Sequence, residues 1–465
     1  MKHEEDLDHV YFDCFNSLCA RKAIRPKQVD RTLKPTIRRD GMKTLVCHDM
    51  KGGYLTEDLS KEIKFGEDEQ KPFIYAFFWY TDLFVYFSHH FITVPTIRWI
   101  NECHDHNTLC LGTSATMNSS LSYIPGTFIT ESTRGRSICS KIFADQKKMQ
   151  LLVQHMVDLT DEFFFDGWLI NIENTIDPPL IGNLAFFVRH LRIELKKRIG
   201  PHAQVIWYDS VVSDGFLQWQ NCLNEKNVLF ADVADGFYAN YAWNKDHLKY
   251  SQRFLELKKS TISSTDVYFG VDVFGRGSFG GGQFNSHTAI QATRNFGFST
   301  AIFAPGWTSE CFGGHICSDI DGLANHEDLF KPMSDLLYPH RLMNSFETRF
   351  DVGLRDGRRF DPSRRTIFPF LLESDYRLTA DGLIIHGNKG STHVLFLTDF
   401  RCISSYELDY GSKDELIVSV RLENSAESFA RVCPFTKRYD IWEIFCVKLI
   451  DEPATLSYLS FQVRY

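Results

Sequence analysis

The stretch Phe165-Asp166-Gly167-Trp168-Leu169-Ile170-Asn171-Ile172-Glu173-Asn174 decides how this chain is read. It begins as the apolar run of a buried strand and ends in polar groups, which an apolar interior tolerates only when they are paired. Side chains of an extended strand alternate faces, so Asn171 and Glu173 share one side while Trp168, Ile170 and Ile172 share the other. A carboxamide and a carboxyl side by side at a strand end suit chemistry on a polar substrate. On this stretch alone, a hydrogen-bonded pair sealing the end of a sheet fits equally well.

Working outward, the same form recurs: a short apolar run that ends in a polar or small cluster. Thr44 to Cys47 runs into His48-Asp49, Leu83 to Phe87 into Ser88-His89-His90, and Thr108 to Leu111 into Gly112-Thr113. After the stretch quoted above come Gln204 to Trp207 into Tyr208-Asp209, and Gly236 to Ala239 into Asn240-Tyr241. Val267 to Val271 then runs into Asp272, and Thr300 to Phe303 into Ala304-Pro305-Gly306-Trp307, which makes eight runs in all. Helical patterns separate several of them. Leu184, Phe187, Val188, Leu191 and Leu195 recur at helical spacing before a Gly200-Pro201 stop; residues 145–164 and 287–296 carry similar amphipathic patterns. Eight apolar strands alternating with helices predict an α/β chain folded as a (β/α)8 TIM barrel, whose active site lies at the C-terminal strand ends, where the recurring polar residues fall.

Beyond about residue 340 long helical patterns vanish, and runs such as His393 to Leu397, Glu415 to Val420 and Ala454 to Tyr465 alternate with turns. This predicts a β-sandwich-like C-terminal region. The expected organisation is an N-terminal extension over 1–40, a catalytic barrel over 41–340 and a β-rich domain over 341–465, with the boundary around Pro339 to Arg358.

Composition narrows the function. The 51 basic and 59 acidic residues leave a net charge of −8, which argues against a nucleic-acid binder working by phosphate neutralisation. No apolar stretch reaches the length of a membrane span, since the longest candidate, Tyr75 to Phe91, is broken by Asp82 and two histidines. The opening residues carry no signal-peptide run. Twelve cysteines without a CxxC signal neither a zinc knuckle nor a redox motif, so reduced thiols and a cytosolic location are expected. Asn118-Ser119-Ser120 fits a glycosylation sequon that a cytosolic chain would not use. The 40 Phe, 18 Tyr and 8 Trp serve core packing, and aromatic rings also stack on sugars.

Three motifs are set aside. Gly275 to Gly280 fits GxGxxG after a strand, but no helix opens there and no acidic residue follows at the spacing a dinucleotide site needs; a mobile loop over the cleft is expected. His104-Asp105-His106 imitates a metal-binding HxH, but it precedes the third strand and so is expected on the surface at the bottom face. No GxSxG occurs, which leaves a serine-hydrolase elbow unsupported.

The strand-end residues also carry a resemblance. TLVCHDMKGGYL (from Thr44), FVYFSHH (from Phe84), FDGWLINIEN, VIWYDSV (from Val205), ADGFYANYAW (from Ala234), DVYFGVDVFGRG (from Asp266) and APGW (from Ala304) resemble, in order, the cytosolic endo-β-N-acetylglucosaminidases of glycoside hydrolase family 85. Towards the C-terminus only SFETRFDVG (from Ser345) looks similar. The resemblance implies hydrolysis of the β-1,4 bond between the two core N-acetylglucosamines of N-glycans, glycopeptides or free oligosaccharides, without cofactor or metal. It implies a substrate-assisted mechanism in which the acetamido oxygen attacks its own anomeric carbon. In that scheme Glu173 is the acid and then the base, Asn171 orients the acetamide, and Tyr208 hydrogen-bonds near the same centre.

Substrate contacts are expected from Trp243, Asn240, Tyr241, Trp307, His89 and Asp272, and His48 and Asp49 also lie at strand ends. For the aromatic residues, ordinary packing under the loops is an equal reading, and for His48, Asp49, His89 and Asn240 holding their neighbours in place is an equal one. One departure stands out. The similar proteins run from the third strand directly into a stretch like LGTFITE, whereas here Ser114 to Pro125 intervenes before Gly126 to Glu131 resumes it, which leaves the placement of Glu131 open. Two rivals remain. A chitinase-like hydrolase typically carries Asp at the position of Asn171, and a catalytically inactive glycan-binding barrel is disfavoured by Asn171, Glu173 and Tyr208 occurring together.

Overall fold

In the computed structural model of the protein, eight short parallel strands close on themselves. They are β1 (Thr44–His48), β2 (Leu83–Tyr86), β3 (Leu109–Ala115), β4 (Gly167–Asn171), β5 (Gln204–Tyr208), β6 (Gly236–Ala239), β7 (Val267–Asp272) and β8 (Ser299–Phe303). Each pairs in parallel with the next, and β8 returns to β1 through Thr300 opposite Thr44. The structure describes residues 10–24, 26, 30–31, 35, 41–58, 62–64, 73–116, 133–312, 320–341, 345–351, 353–355, 359–361, 367–369, 376–379, 381–398, 405–423, 442–450 and 453–464.

Alternation along the strands sorts side chains into two layers. Leu45, Cys47, Leu83, Val85, Leu109, Leu111, Leu169, Ile206, Tyr208, Tyr238, Tyr268, Ala301 and Phe303 fill the barrel interior. The residues that alternate with them, such as Val46, Phe84, Trp168, Ile170 and Trp207, pack outward against the helices. Trp168 shows the arrangement: its indole N–H donates to Thr160 Oγ1 (2.9 Å) on the helix Gln146–Phe163. Asp145 caps that helix by accepting from the backbone N–H groups of Lys147 and Lys148, a contact worth about 1 kcal/mol. The helices Ile181–Arg198, Lys245–Glu256 and Ser286–Asn295 follow β4, β6 and β7. Among the described residues the β1–β2 connection holds no α-helix; two 3-10 turns, Thr56–Asp58 and Phe78–Tyr80, replace it.

Gly167 opens β4 at φ +144°, and a Cβ there would stand 1.9 Å from Gln204 O, so the close pairing of β4 with β5 requires glycine. Just before it, Asp166 anchors the foot of the strand. Its Oδ2 accepts from Cys110 N–H (2.8 Å) and lies 2.9 Å from His104 Nε2. Burial pushes this carboxyl up, but His104 and hydrogen bonds from His202 and Cys110 outweigh it and hold Asp166 below the usual carboxylate range. His104 and His106 are therefore not surface residues as the sequence suggests. Both are buried at the bottom of the barrel, and the ring of His106 stacks on Phe78. The HxH pattern serves packing there.

The expected insertion also looks different in space. Ser114 and Ala115 belong to β3, and Thr116 N–H extends the pairing by donating to Asn171 O (3.1 Å). The rest of that segment and Glu131 lie outside the described residues.

In the C-terminal region, Phe346–Thr348, Tyr376–Thr379, Gly382–Ile385, Ser405–Ser412 and Ala454–Arg464 form one antiparallel sheet; Thr392–Thr398, Leu416–Glu423 and Trp442–Leu449 form another. Phe346 of the first packs against Phe396 of the second (5.0 Å between centroids), and Tyr376 Oη donates across to Val394 O (2.7 Å). This region is tied into the foot of the barrel. Phe368 donates its N–H to His106 Nε2 (3.2 Å), while its carbonyl accepts from Trp79 Nε1 (2.6 Å). His340 Nε2 bonds Thr81 O (2.7 Å), and Arg359–Phe360 pairs with Ile63–Lys64 from the β1–β2 connection.

Two buried histidines give the fold an acid-sensitive spot. His48 packs among Phe73, Phe84 and Trp99, and His326 meets Phe73, Tyr75 and Phe77 edge-on. Burial lowers His48 to about 4 and His326 to about 3. Unfolded, each would take up a proton near pH 6.5, so the unfolded state binds more protons between that pH and the folded values. Stability is therefore fully present above about pH 6.5 and is lost as the pH falls toward 4, by about 2–3 kcal/mol for each histidine. Denaturant titrations at pH 7 and pH 4.5 should show this loss, and the double substitution of both residues by Phe should reduce it. An equal loss in the double variant would refute the assignment.

Candidate active site

β4 delivers Asn171 and Glu173 to the mouth of the barrel. Leu169 on the same strand points into the interior core, so by alternation Asn171 lies on the inner side and Glu173 follows two residues on. Glu173 is half-buried. Burial pushes its carboxyl up to about 7, against the opposite pull of hydrogen bonds donated by the Trp219 indole N–H and the Asn171 carboxamide. A carboxyl poised near neutrality can both give and take a proton.

Trp219 has no counterpart in the sequence reading. It sits on the loop after β5, half-buried against the interior core. A buried carboxylate, Asp209, shapes that loop by accepting from the backbone N–H groups of Gln220 (3.0 Å) and Asn221 (2.7 Å) and from Asn227 Nδ2 (3.2 Å). Trp219 is thereby fixed by the two amides that follow it. Asp209 could be noticed in the sequence as the polar end of β5, but its link to a tryptophan ten residues on could not.

Tyr208, at the end of β5, donates from Oη to Asn240 Oδ1 (2.8 Å), and Asn240 Nδ2 in turn donates to Asn221 Oδ1 (2.9 Å). Burial raises Tyr208 well above the usual phenol range, with the nearby Glu173 charge adding to the shift, so it stays a neutral donor. Tyr241 lies over Gly270 of β7, where a Cβ would come within 2.6 Å of its ring. That missing side chain lets the ring settle into the mouth, 5.1 Å from Phe303 and 6.2 Å from Tyr208. Asn171, Glu173, Tyr208, Asn240 and Tyr241 thus gather at one end of the barrel, as the sequence suggests.

Other expected contacts fall differently. Trp243 is buried in the packing layer outside the barrel wall, with its N–H on Gly270 O (2.7 Å) and its ring stacked on Phe279 (5.1 Å). Trp307 is also buried, edge-on to Phe284 and Phe312. The alternation that points Cys47 inward sends His48 outward into the aromatic cluster described above. These three are packing residues. His89 is exposed beside Phe87, near enough to Asp49 to lower that carboxyl against the rise that burial causes.

Asp272 is buried and makes a bidentate pair with Arg276, Nε to Oδ2 at 2.8 Å and Nη2 to Oδ1 at 3.1 Å. The glycine-rich segment that follows is not the mobile loop expected. Its backbone is held by Gln283 N–H on Val273 O (2.7 Å), Gly275 N–H on Asp272 O (2.9 Å) and the bond from Asp272 N–H to Ser278 Oγ (3.2 Å).

Comparison with known proteins supplies a context for this geometry. A family model described as Glycosyl hydrolase family 85 matches residues 54–330. The chain is 37% identical over 323 residues to the cytosolic endo-beta-N-acetylglucosaminidase of Mus musculus, covering 69% of this chain and 40% of that protein. It is 40% identical over 312 residues to cytosolic endo-beta-N-acetylglucosaminidase 2 of Arabidopsis thaliana, covering 67% and 40%. The chain thus spans about 40% of the length of these curated relatives. Among solved structures, the glycoside hydrolase domain of Endo-D from Streptococcus pneumoniae R6 superposes with a TM-score of 0.67 at 16% identity, over 97% of this chain and 82% of that one; this is a likeness of fold.

Proposed function

The chain belongs to glycosyl hydrolase family 85, and from that premise we propose that it is an endo-β-N-acetylglucosaminidase that cleaves between the two core N-acetylglucosamines of N-linked glycans, on glycopeptides or free oligosaccharides. The observation that carries this reading is the pairing of a near-neutral Glu173 with the Asn171 carboxamide. Where a hydrolase with a protein nucleophile sets a second carboxylate about 5 Å from its acid, this chain presents an amide. In this reading the Asn171 carboxamide is not the nucleophile; its fixed dipole suits a substrate acetamido group whose own oxygen attacks the anomeric carbon.

In the proposed sequence Glu173 protonates the leaving oxygen as the acetamido oxygen closes on the anomeric carbon. The oxazoline-like intermediate carries developing positive charge on the acetamide, which Asn171 and the Tyr208 hydroxyl hold in place. Glu173, now a carboxylate, then takes a proton from the water that opens the ring, so the configuration is retained and the acid is regenerated. Trp219 supports the cycle by steadying the carboxylate form. The names of the relatives make the cytosol the proposed location; among the described residues no helix is long and apolar enough to cross a membrane.

The test is mass spectrometry of a high-mannose glycopeptide after incubation with the purified protein. A peptide that keeps a single N-acetylglucosamine is expected. Stepwise loss of outer sugars, or no cleavage by a demonstrably folded protein, would overturn the reading. The same assay predicts a pH dependence. The acid is protonated below about pH 7 and lost above it, so kcat/KM should fall about tenfold per pH unit on the alkaline side. A profile flat from pH 6 to 9 would remove Glu173 from the acid role.

A further inference from the structure

From Glu173 the mouth of the barrel is floored by rings. Tyr208 lies 6.2 Å from Tyr241, Tyr241 lies 5.1 Å from Phe303, and the guanidinium carbon of Arg276 sits 5.8 Å from the Phe303 ring. Phe303 ends β8, which is four strands around the barrel from β4 in either direction, so this floor crosses the mouth to the side opposite the acid. Such a floor suits the apolar faces of sugar rings.

At its far end Arg276 is held in an unusual way for a side chain that is 56% exposed. Buried Asp272 grips it from behind through Nε and Nη2, and Phe274 (4.9 Å) and Phe303 support its face. Asp272 is fixed in turn by the backbone N–H groups of Phe274 (3.2 Å) and Arg276 (3.0 Å). Among the described residues nothing accepts a hydrogen bond from Nη1. The result is a planar donor fork whose orientation is set before any ligand arrives, which reduces the ordering cost of binding.

We propose that Arg276 is a second grip on the substrate, donating hydrogen bonds to neutral oxygens of a glycan residue outside the two core N-acetylglucosamines. The proposal rests on the endoglycosidase reading. The neighbourhood selects the ligand chemistry: the carboxyls of Asp272 and Asp49 stand close to Arg276, and Asp49 also faces Glu310. An anionic group would meet these acids, whereas hydroxyl and ring oxygens accept from the fork without opposing charge. Arg276 is a specificity residue in this scheme and takes no part in bond cleavage.

The test uses calorimetry on the Glu173→Gln protein, in which the substrate stays whole, with two glycopeptides. One carries a high-mannose glycan and the other only the two N-acetylglucosamines. Arg276→Ala should weaken binding of the first about 10- to 100-fold and leave the second within about twofold. In the otherwise unmutated enzyme the same change should raise KM and leave kcat within about threefold. Arg276→Lys keeps a positive charge beside buried Asp272, and hence the fold, but loses the fork; it should lose most of the same affinity. Unchanged binding in both variants, equal losses on both glycopeptides, or a fall in kcat without a change in affinity would each overturn the proposal. If the unmutated protein cleaves neither glycopeptide, the endoglycosidase reading itself has failed, which is a separate result.

Discussion

Replacing Glu173 by Gln is expected to lower kcat by about 10²–10⁴-fold, the range a positioned general acid supplies. The substitution keeps the size and shape of the side chain, so the Trp219 indole N–H still finds an oxygen to donate to and the fold is preserved. What disappears is the proton. Because the same group serves in both halves of the proposed cycle, neither step should recover at any pH, and the alkaline limb near pH 7 should vanish with it. Melting curves that overlay those of the unmutated protein would separate loss of chemistry from loss of structure. Activity within tenfold of the original would rule out the assignment.

Asn171→Ala is expected to cost about 10²–10³-fold in kcat, comparable to removing one preorganised donor from a site of developing charge. A second consequence distinguishes this from general damage. The Asn171 carboxamide lowers the Glu173 pKa by donating to the carboxylate, in opposition to burial. Without it burial acts with less opposition, so the alkaline limb of kcat/KM should move above about pH 7 in the residual activity. A large loss with the limb unmoved would place Asn171 only on the substrate side. A limb displaced downward would contradict the hydrogen bond itself.

The fold was legible because each barrel strand is a short apolar run that stops at a polar residue, and that pattern follows directly from a core on both faces and a solvated mouth. Asn171, Glu173 and Tyr208 could be placed by counting alternation from Leu169 and Ile206, which point inward. The same counting, applied to β1, groups His48 with Val46 on the outer face; reading a strand end as a cleft residue overlooked it. Trp243 shows a different limit. It lies next to the mouth in sequence, but its N–H bond to Gly270 O turns it into the wall's outer packing. Trp219 and Arg276 depend on loops folded around Asp209 and Asp272, two buried carboxylates whose partners are set by tertiary turns rather than by periodicity. The glycine-rich run after β7 carries no phosphate signal, and its glycines are explained locally: a Cβ at Gly282 would stand 2.4 Å from Gly275 Cα.

The bonds at residue 368 bear on how such a protein can change over evolutionary time. The backbone of one residue, Phe368, satisfies both a buried indole N–H and a buried imidazole nitrogen at the foot of the barrel, and a strand from the β1–β2 connection is paired with Arg359–Phe360. Recombination that exchanged the C-terminal sheets for a foreign module would leave Trp79 and His106 buried without these partners, at a cost of about 1–3 kcal/mol for each. Barrel and sheets are therefore expected to be inherited as a block, with sequence drift on either side of the seam constrained by the other.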